Sequence, residues 1–165
     1  MKDGFLKLIE RLTKGGVKFV LVGDFAGVVH GCTYVTQDID ICCDFSTANL
    51  LALQKSLKDL HPVHRMTPQR LKLKLTTKSC AQFKNLYLDT DIGQLDCLGY
   101  VQGLGNYENI EPMSELRDAG RGLRIRVLTV DSLIEARKAM NRPRDKDAVL
   151  QLEAIKKMQN KRRKT

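Results

Sequence analysis

Asp38-Ile39-Asp40-Ile41 is the stretch of the chain whose residue types and spacing point most directly to chemistry. In a β-strand, residues two apart share a face, so Asp38 and Asp40 project together while Ile39 and Ile41 turn into the core. Two carboxylates held side by side repel each other and raise each other's pKa, which is costly without a cation. Mg²⁺ or Mn²⁺ relieves that cost, because such ions take oxygen ligands from one or two carboxylates together with substrate phosphates. The competing reading is an edge strand with a solvated polar face. A third carboxylate, Asp96, falls between Leu95 and Cys97-Leu98. An aspartate inside an apolar strand needs an ion partner or a metal. Asp89-Thr90-Asp91 repeats the spacing but runs into a turn at Gly93, so Asp91 reads as turn chemistry.

The flanking elements must position these groups. Phe5, Leu8, Ile9 and Leu12 recur at i, i+3, i+4 and i+7 and predict an amphipathic helix, stopped by Gly15-Gly16. Val17 to Val22 predicts a buried strand, and Gly23 to Gly31 a tight turn into a short helix. The strand Asp38–Cys42 is followed by a helix capped by Ser46 or Thr47, with Leu50, Leu53, Leu57 and Leu60 on one face. Arg70 to Leu75 alternates strictly and predicts a strand with one basic face. Leu86–Leu88 and Leu95–Leu98 predict a hairpin around Asp91-Ile92-Gly93, and Leu123, Ile125 and Val127 one more strand. Ser132 and Glu135 form a capping box opening a helix through Met140. Asn141-Arg142-Pro143 breaks it, and Ala148, Leu152 and Ile155 mark a last helix. The expectation is an α+β fold with a mixed α/β sheet in a single compact domain. Its core spans 1–130, C-terminal helices over 131–160 pack on that core, and 161–165 is a solvated basic tail.

The chain has 165 residues and nine more Lys and Arg than Asp and Glu. No apolar run is long enough for a transmembrane helix, and the amphipathic start argues against a secretory signal. Five cysteines show neither CxxC nor finger spacing, which argues against a zinc site and for reduced structural thiols in a cytoplasmic protein. Redox chemistry at Cys42-Cys43 is the alternative. Basic residues cluster from Arg65 to Lys84, six with no acidic residue, and from Glu135 to Thr165, eleven against four. Contact with a phosphate backbone fits this charge, as do solvated helix faces. Aromatics are 5% of residues and Trp is absent, so a platform for stacking bases is poorly supplied.

Four blocks in order resemble the nucleotidyltransferase superfamily with the DNA-polymerase-beta fold, in particular its small bacterial nucleotidyltransferase-like members, some of them toxin–antitoxin components. They are Val20-Leu21-Val22-Gly23-Asp24-Phe25-Ala26 with His30-Gly31, Thr36-Gln37-Asp38-Ile39-Asp40-Ile41, Gly93-Gln94-Leu95-Asp96, and Leu133-Ile134 through Arg137 to Arg142-Pro143-Arg144-Asp145. The resemblance spans about residues 5 to 155. It implies that Asp38, Asp40 and Asp96 are catalytic and hold Mg²⁺ or Mn²⁺, Asp96 also helping to activate an acceptor hydroxyl. It implies that Gly23 and Asp24 form the nucleotide-binding turn, with Arg137 and Arg142 as nucleotide contacts. Arg144 is a further candidate for phosphate or acceptor contact. A salt bridge to Asp145 or Asp147 is the alternative role for Arg137 and Arg142, and packing or hydrogen bonding the alternative for His30.

The implied reaction moves a nucleoside monophosphate from an NTP to a hydroxyl of RNA (tRNA included), a protein or a small molecule. Two departures bear on it. Arg137 stands where the family has lysine, and Asp24 stands where the turn has Ser or Gly. A carboxylate beside a triphosphate is repulsive unless a metal or an arginine lies between. The alternative is therefore a catalytically degenerate nucleotide- or RNA-binding member, and a third reading makes the chain a partner in a toxin–antitoxin pair.

Overall fold

A computed structural model describes residues 3–164. In chain order the elements are α1 (Asp3–Lys14), β1 (Phe19–Val22), α2 (Gly23–His30), β2 (Asp38–Cys43), α3 (Thr47–Leu57), β3 (Val63–His64), β4 (Asn85–Thr90) and β5 (Gly93–Leu98). There follow β6 (Tyr100–Val101), β7 (Gly105–Asn106), α4 (Tyr107–Ile110), β8 (Ser114–Asp118), β9 (Arg124–Leu128), α5 (Val130–Met140) and α6 (Asp145–Arg163). Seven strands form one mixed sheet in the order β3-β4-β5-β2-β1-β9-β8, and β6 and β7 pair separately. The fold is thus α+β, with parallel pairings of β2 with β5 and β1 with β9 among antiparallel neighbours.

The alternation along β2 decides what the sheet presents. Ile39 and Ile41 are fully buried, while Asp38 and Asp40 stay partly open on the opposite face. α1 inserts Phe5, Leu8, Ile9 and Leu12 into the core and packs on α3, whose Leu50, Leu53 and Leu57 are also fully enclosed. α2 lies against β1 and β2, and α5 bridges α2 and α6. His30 Nε2 donates to the Leu128 carbonyl at 2.8 Å, tying α2 to β9. Burial holds its imidazole below its ordinary pKa. All five cysteines are buried free thiols. Among the described residues no helix is long and apolar enough to cross a membrane.

Three local expectations need correction. Residues 70–75 do not form a strand. Leu73 and Leu75 are buried and Lys72 and Lys74 exposed, so the alternation is real, yet only one isolated bridge, Val63 to Lys72, joins the segment to the sheet. The Gln54 side chain accepts from Leu75 N at 2.5 Å and donates to its carbonyl at 3.3 Å, replacing a neighbouring strand. The second correction concerns α5, which starts before Ser132. Thr129 is its N-cap and accepts from Ser132 N, so a nearer hydroxyl outcompetes the proposed box. Finally, α6 runs through Arg163, which makes the basic end helical and exposed rather than a separate tail.

Candidate functional site

Register, more than any single residue, assembles the site. Val22 pairs with Asp40, Asp40 with Asp96, and Asp96 with Tyr87. Directly opposed residues share a face, so four neighbouring strands deliver one row of side chains at one level of the sheet. Asp38 stands in the adjacent row, opposite Gln94. Ligand oxygens of Asp38, Asp40 and Asp96 lie within 4.8 Å of one another.

The electrostatics follow from that crowding. Burial pushes the Asp40 carboxyl up to about 7, and the charges of Asp38, Asp96 and Asp24 push the same way against Arg137. Burial also raises Asp96, opposed by the guanidinium of Arg65. The cluster is short of positive charge, and its donors are all hard oxygens. A divalent cation such as Mg²⁺ or Mn²⁺ fits that donor set, with Asp38, Asp40 and Asp96 as the residues that would hold it.

Gly23 begins α2 directly above Asp40. Its φ is +68°, and a Cβ there would come within 2.8 Å of the Asp40 Cβ. Glycine supplies both the backbone angle and the room. Val22, at the N-cap of α2, gives no side-chain cap, and Val22, Gly23 and Asp24 line the same cavity.

The opposite wall is an ion-pair ladder. Arg137 bonds Asp24 and also donates to Asp145 at 2.9 Å. Arg142 grips Asp145 through Nε at 2.8 Å and Nη2 at 3.0 Å. Asp145 is almost fully buried, and its two arginines hold it well below the usual carboxylate range. Asp24 therefore has an arginine partner, and both Arg137 and Arg142 make the alternative salt bridge to Asp145. Arg144 lines the same cavity and has no carboxylate partner among the described residues.

The cavity measures about 450 Å³, with the carboxylates toward one part and Leu98, Val101, Leu133 and Met140 forming apolar lining elsewhere. A second cavity of about 720 Å³, between α3 and residues 72–75, is lined by leucines and lysines with no carboxylate and offers no cation site.

Sequence reasoning did not single out Arg65, Tyr87 or Tyr100. Arg65 bonds Asp96, reaches Gln94 Oε1 at 3.4 Å and sits 6.0 Å over the Tyr87 ring. Asp96 signalled a need for a partner, but nothing in the local pattern points 31 residues back. Tyr100 is exposed at the cavity mouth, and no spacing distinguishes it from an ordinary surface tyrosine. Asp91 lies in the β4–β5 turn, where its carboxylate accepts from His61 Nδ1 at 2.6 Å, a contact from 30 residues away rather than one within the turn. No family model and no curated protein sequence matches this chain.

Proposed function

We propose that the chain is a divalent-cation-dependent nucleotidyltransferase built on a polymerase-beta-like core. The observation that carries this reading is the convergence of Asp38, Asp40 and Asp96 within 4.8 Å, beneath an uncapped helix start at Gly23 and facing an arginine wall. In the reaction, a bond forms between the α-phosphorus and the acceptor oxygen while the bond to the bridging oxygen of pyrophosphate breaks. A bound divalent cation would supply Lewis-acid stabilisation of the phosphoryl oxygens and of the attacking oxygen. Asp38 and Asp40 would hold that charge from β2, and Asp96 from β5 would help activate the acceptor hydroxyl by taking its proton. Gly23 lets the backbone come close to the phosphates, whose charge suits the α2 N-terminus. Among the described residues lining the cavity, Arg144 is the guanidinium without a carboxylate partner and would meet the leaving pyrophosphate, since Arg137 and Arg142 are committed to Asp24 and Asp145. The apolar lining has room for a base.

A second reading, a non-catalytic nucleotide- or RNA-binding module, is favoured by one contact. Asp24 places a carboxylate in the phosphate turn and occupies Arg137.

One experiment separates the two. Purified protein is incubated with each labelled NTP, Mg²⁺ or Mn²⁺, and total cellular RNA and protein, beside Asp38→Ala/Asp40→Ala. Transfer lost in the double variant supports the enzyme and shows whether RNA or protein accepts. Absent transfer, with nucleotide binding still measurable by calorimetry, favours the binding module, and Asp24→Ser then becomes the variant to assay for recovered activity.

A further inference from the structure

Among the described residues, Arg65 is the one guanidinium in direct contact with the carboxylate triad. It leaves the short edge strand β3 with its backbone N–H on the Tyr87 carbonyl at 2.8 Å. Its side chain is mostly buried, one Nη bonding Asp96 and the other reaching Gln94. Its Nε is buried with no hydrogen-bond partner. A guanidinium normally uses its donors as a fork on one planar anion, and here one prong goes unused. Asp96 therefore takes up only part of the guanidinium's hydrogen-bonding capacity.

A divalent ion arriving at the triad changes this balance. It would share Asp96 with a fixed positive charge a few ångströms away, and like charges at that range in a poorly solvated site repel strongly. The segment carrying Arg65 can yield. β3 is two residues long and lies at the sheet edge, and the following turn is closed by the Arg70 N to Thr67 carbonyl bond at 3.0 Å. The cavity floor around Tyr87 and Asp96 lies beside it, so a short swing takes the guanidinium from a carboxylate to any phosphate placed there.

We infer that Arg65 is a built-in counter-cation for the triad, one that holds Asp96 before a metal binds and moves onto an anionic group of the substrate once a metal takes Asp96. The inference rests on the reading of the triad as a cation site. It makes Arg65 a competitor of the metal, whereas a fixed orienting partner of a ligand strengthens metal binding, by about 10- to 100-fold in other sites. The sign of one measurement separates them.

Mn²⁺ is titrated calorimetrically into the wild type, Arg65→Gln and Asp38→Asn/Asp40→Asn, and inorganic triphosphate is then titrated into each Mn²⁺-saturated protein. Arg65→Gln is expected to bind Mn²⁺ roughly tenfold tighter, the size of effect a neighbouring charge has on a carboxylate. Its affinity for triphosphate is expected to fall by about the same factor, one charge-assisted contact being lost. Unchanged or weaker Mn²⁺ binding overturns the inference, and so does tighter Mn²⁺ binding with unchanged triphosphate affinity. Should Arg65→Gln not fold, Arg65→Met serves. It likewise removes the charge and keeps an apolar stem over the Tyr87 ring, and Mn²⁺ binding tighter than wild type supports the inference while equal or weaker binding overturns it. If neither the wild type nor the Arg65 variant binds Mn²⁺, the cation reading of the triad fails and takes this inference with it. Binding retained in Asp38→Asn/Asp40→Asn places the ion elsewhere and has the same consequence.

Discussion

At Gly23 one missing side chain serves two purposes, and both can be tested by adding it back. Alanine there meets the β-carbon of Asp40 at 2.8 Å and must also hold φ at +68°. The strain costs on the order of 1–2 kcal/mol, and Asp40 must turn away from Asp38 and Asp96. Gly23→Ala is expected to stay folded with a lowered melting temperature and to lose most of its Mn²⁺ affinity by calorimetry. Wild-type affinity in that variant would mean that Asp40 does not ligate. Asp40 itself carries a pH signature. Its carboxyl sits at about 7 in the fold against 3.8 as the ordinary value. Between those two values the native state binds a proton that the unfolded chain lacks, so stability falls as pH rises through the window. Asp145, held low by Arg137 and Arg142, contributes the opposite slope, and its contribution is lost as the medium becomes acid enough to protonate it. Without divalent ions, thermal melts should therefore show lower stability at pH 8 than at pH 5, on the order of 2 kcal/mol from Asp40. Asp40→Asn should flatten that difference. Mg²⁺ should raise the melting temperature more at pH 8 than at pH 5, because only the ionised carboxylate gains from it.

Between elements, the strongest polar tie is Arg137, which joins the start of α2 through Asp24 to the start of α6 through Asp145 from its own position on α5. Its side chain is 8% exposed and that of Asp145 4%. Removing one member of such a set leaves a buried charge uncompensated, which costs about 3–5 kcal/mol. Arg137→Met is expected to lose about that much in urea denaturation, and Arg137→Met/Asp145→Leu to regain part of it. A loss under about 1 kcal/mol for the single variant would show that Arg142 alone suffices for Asp145. The elements differ in how far they were legible in the sequence. α1, α2, α3 and the β4–β5 hairpin follow from periodicity and turn residues, because each buries one face and ends at a glycine or a hydroxyl cap. The stretch 70–75 alternates like a strand, but pairing depends on a neighbour, and there the Gln54 amide takes the neighbour's place. At the start of α5, Thr129 and Ser132 both suit the cap position, and the helix begins at the buried Val130 with Thr129 as its cap. Within the site, Asp38, Asp40 and Asp96 were legible as carboxylates placed on strands. Their convergence depends on β2 and β5 being parallel neighbours, a topological fact that local pattern does not contain. The Arg65 contact crosses 31 residues and had no local signal at all.

Across the whole molecule, charge is uneven. The cavity is lined by Asp24, Asp38, Asp40 and Asp96 against Arg137, Arg142 and Arg144, while basic residues are dense and nearly unopposed at the end of α6. Beyond Ile155 that helix is exposed almost throughout, and its last stretch, from Lys156 to Lys164, carries six basic residues and no acidic one. Lys156 already pairs with Asp131, whereas Lys157 and Lys164 have no carboxylate partner among the described residues. If RNA is the acceptor, the long-range field of this helix end would draw the strand, leaving the triad to act on its terminus. Binding carried by phosphate contacts releases counterions, with a slope of log affinity against log salt of about 0.7 per contact for single strands. Fluorescence anisotropy of a labelled 30-nucleotide single strand between about 50 and 200 mM salt measures that slope. Lys157→Gln/Lys164→Gln is expected to lower it by about 1.4 and to leave Mn²⁺ binding at the triad as it was. An unchanged slope would mean that the strand does not run along α6, and the search for the acceptor would then turn to proteins and small molecules, for which the same cavity is equally open.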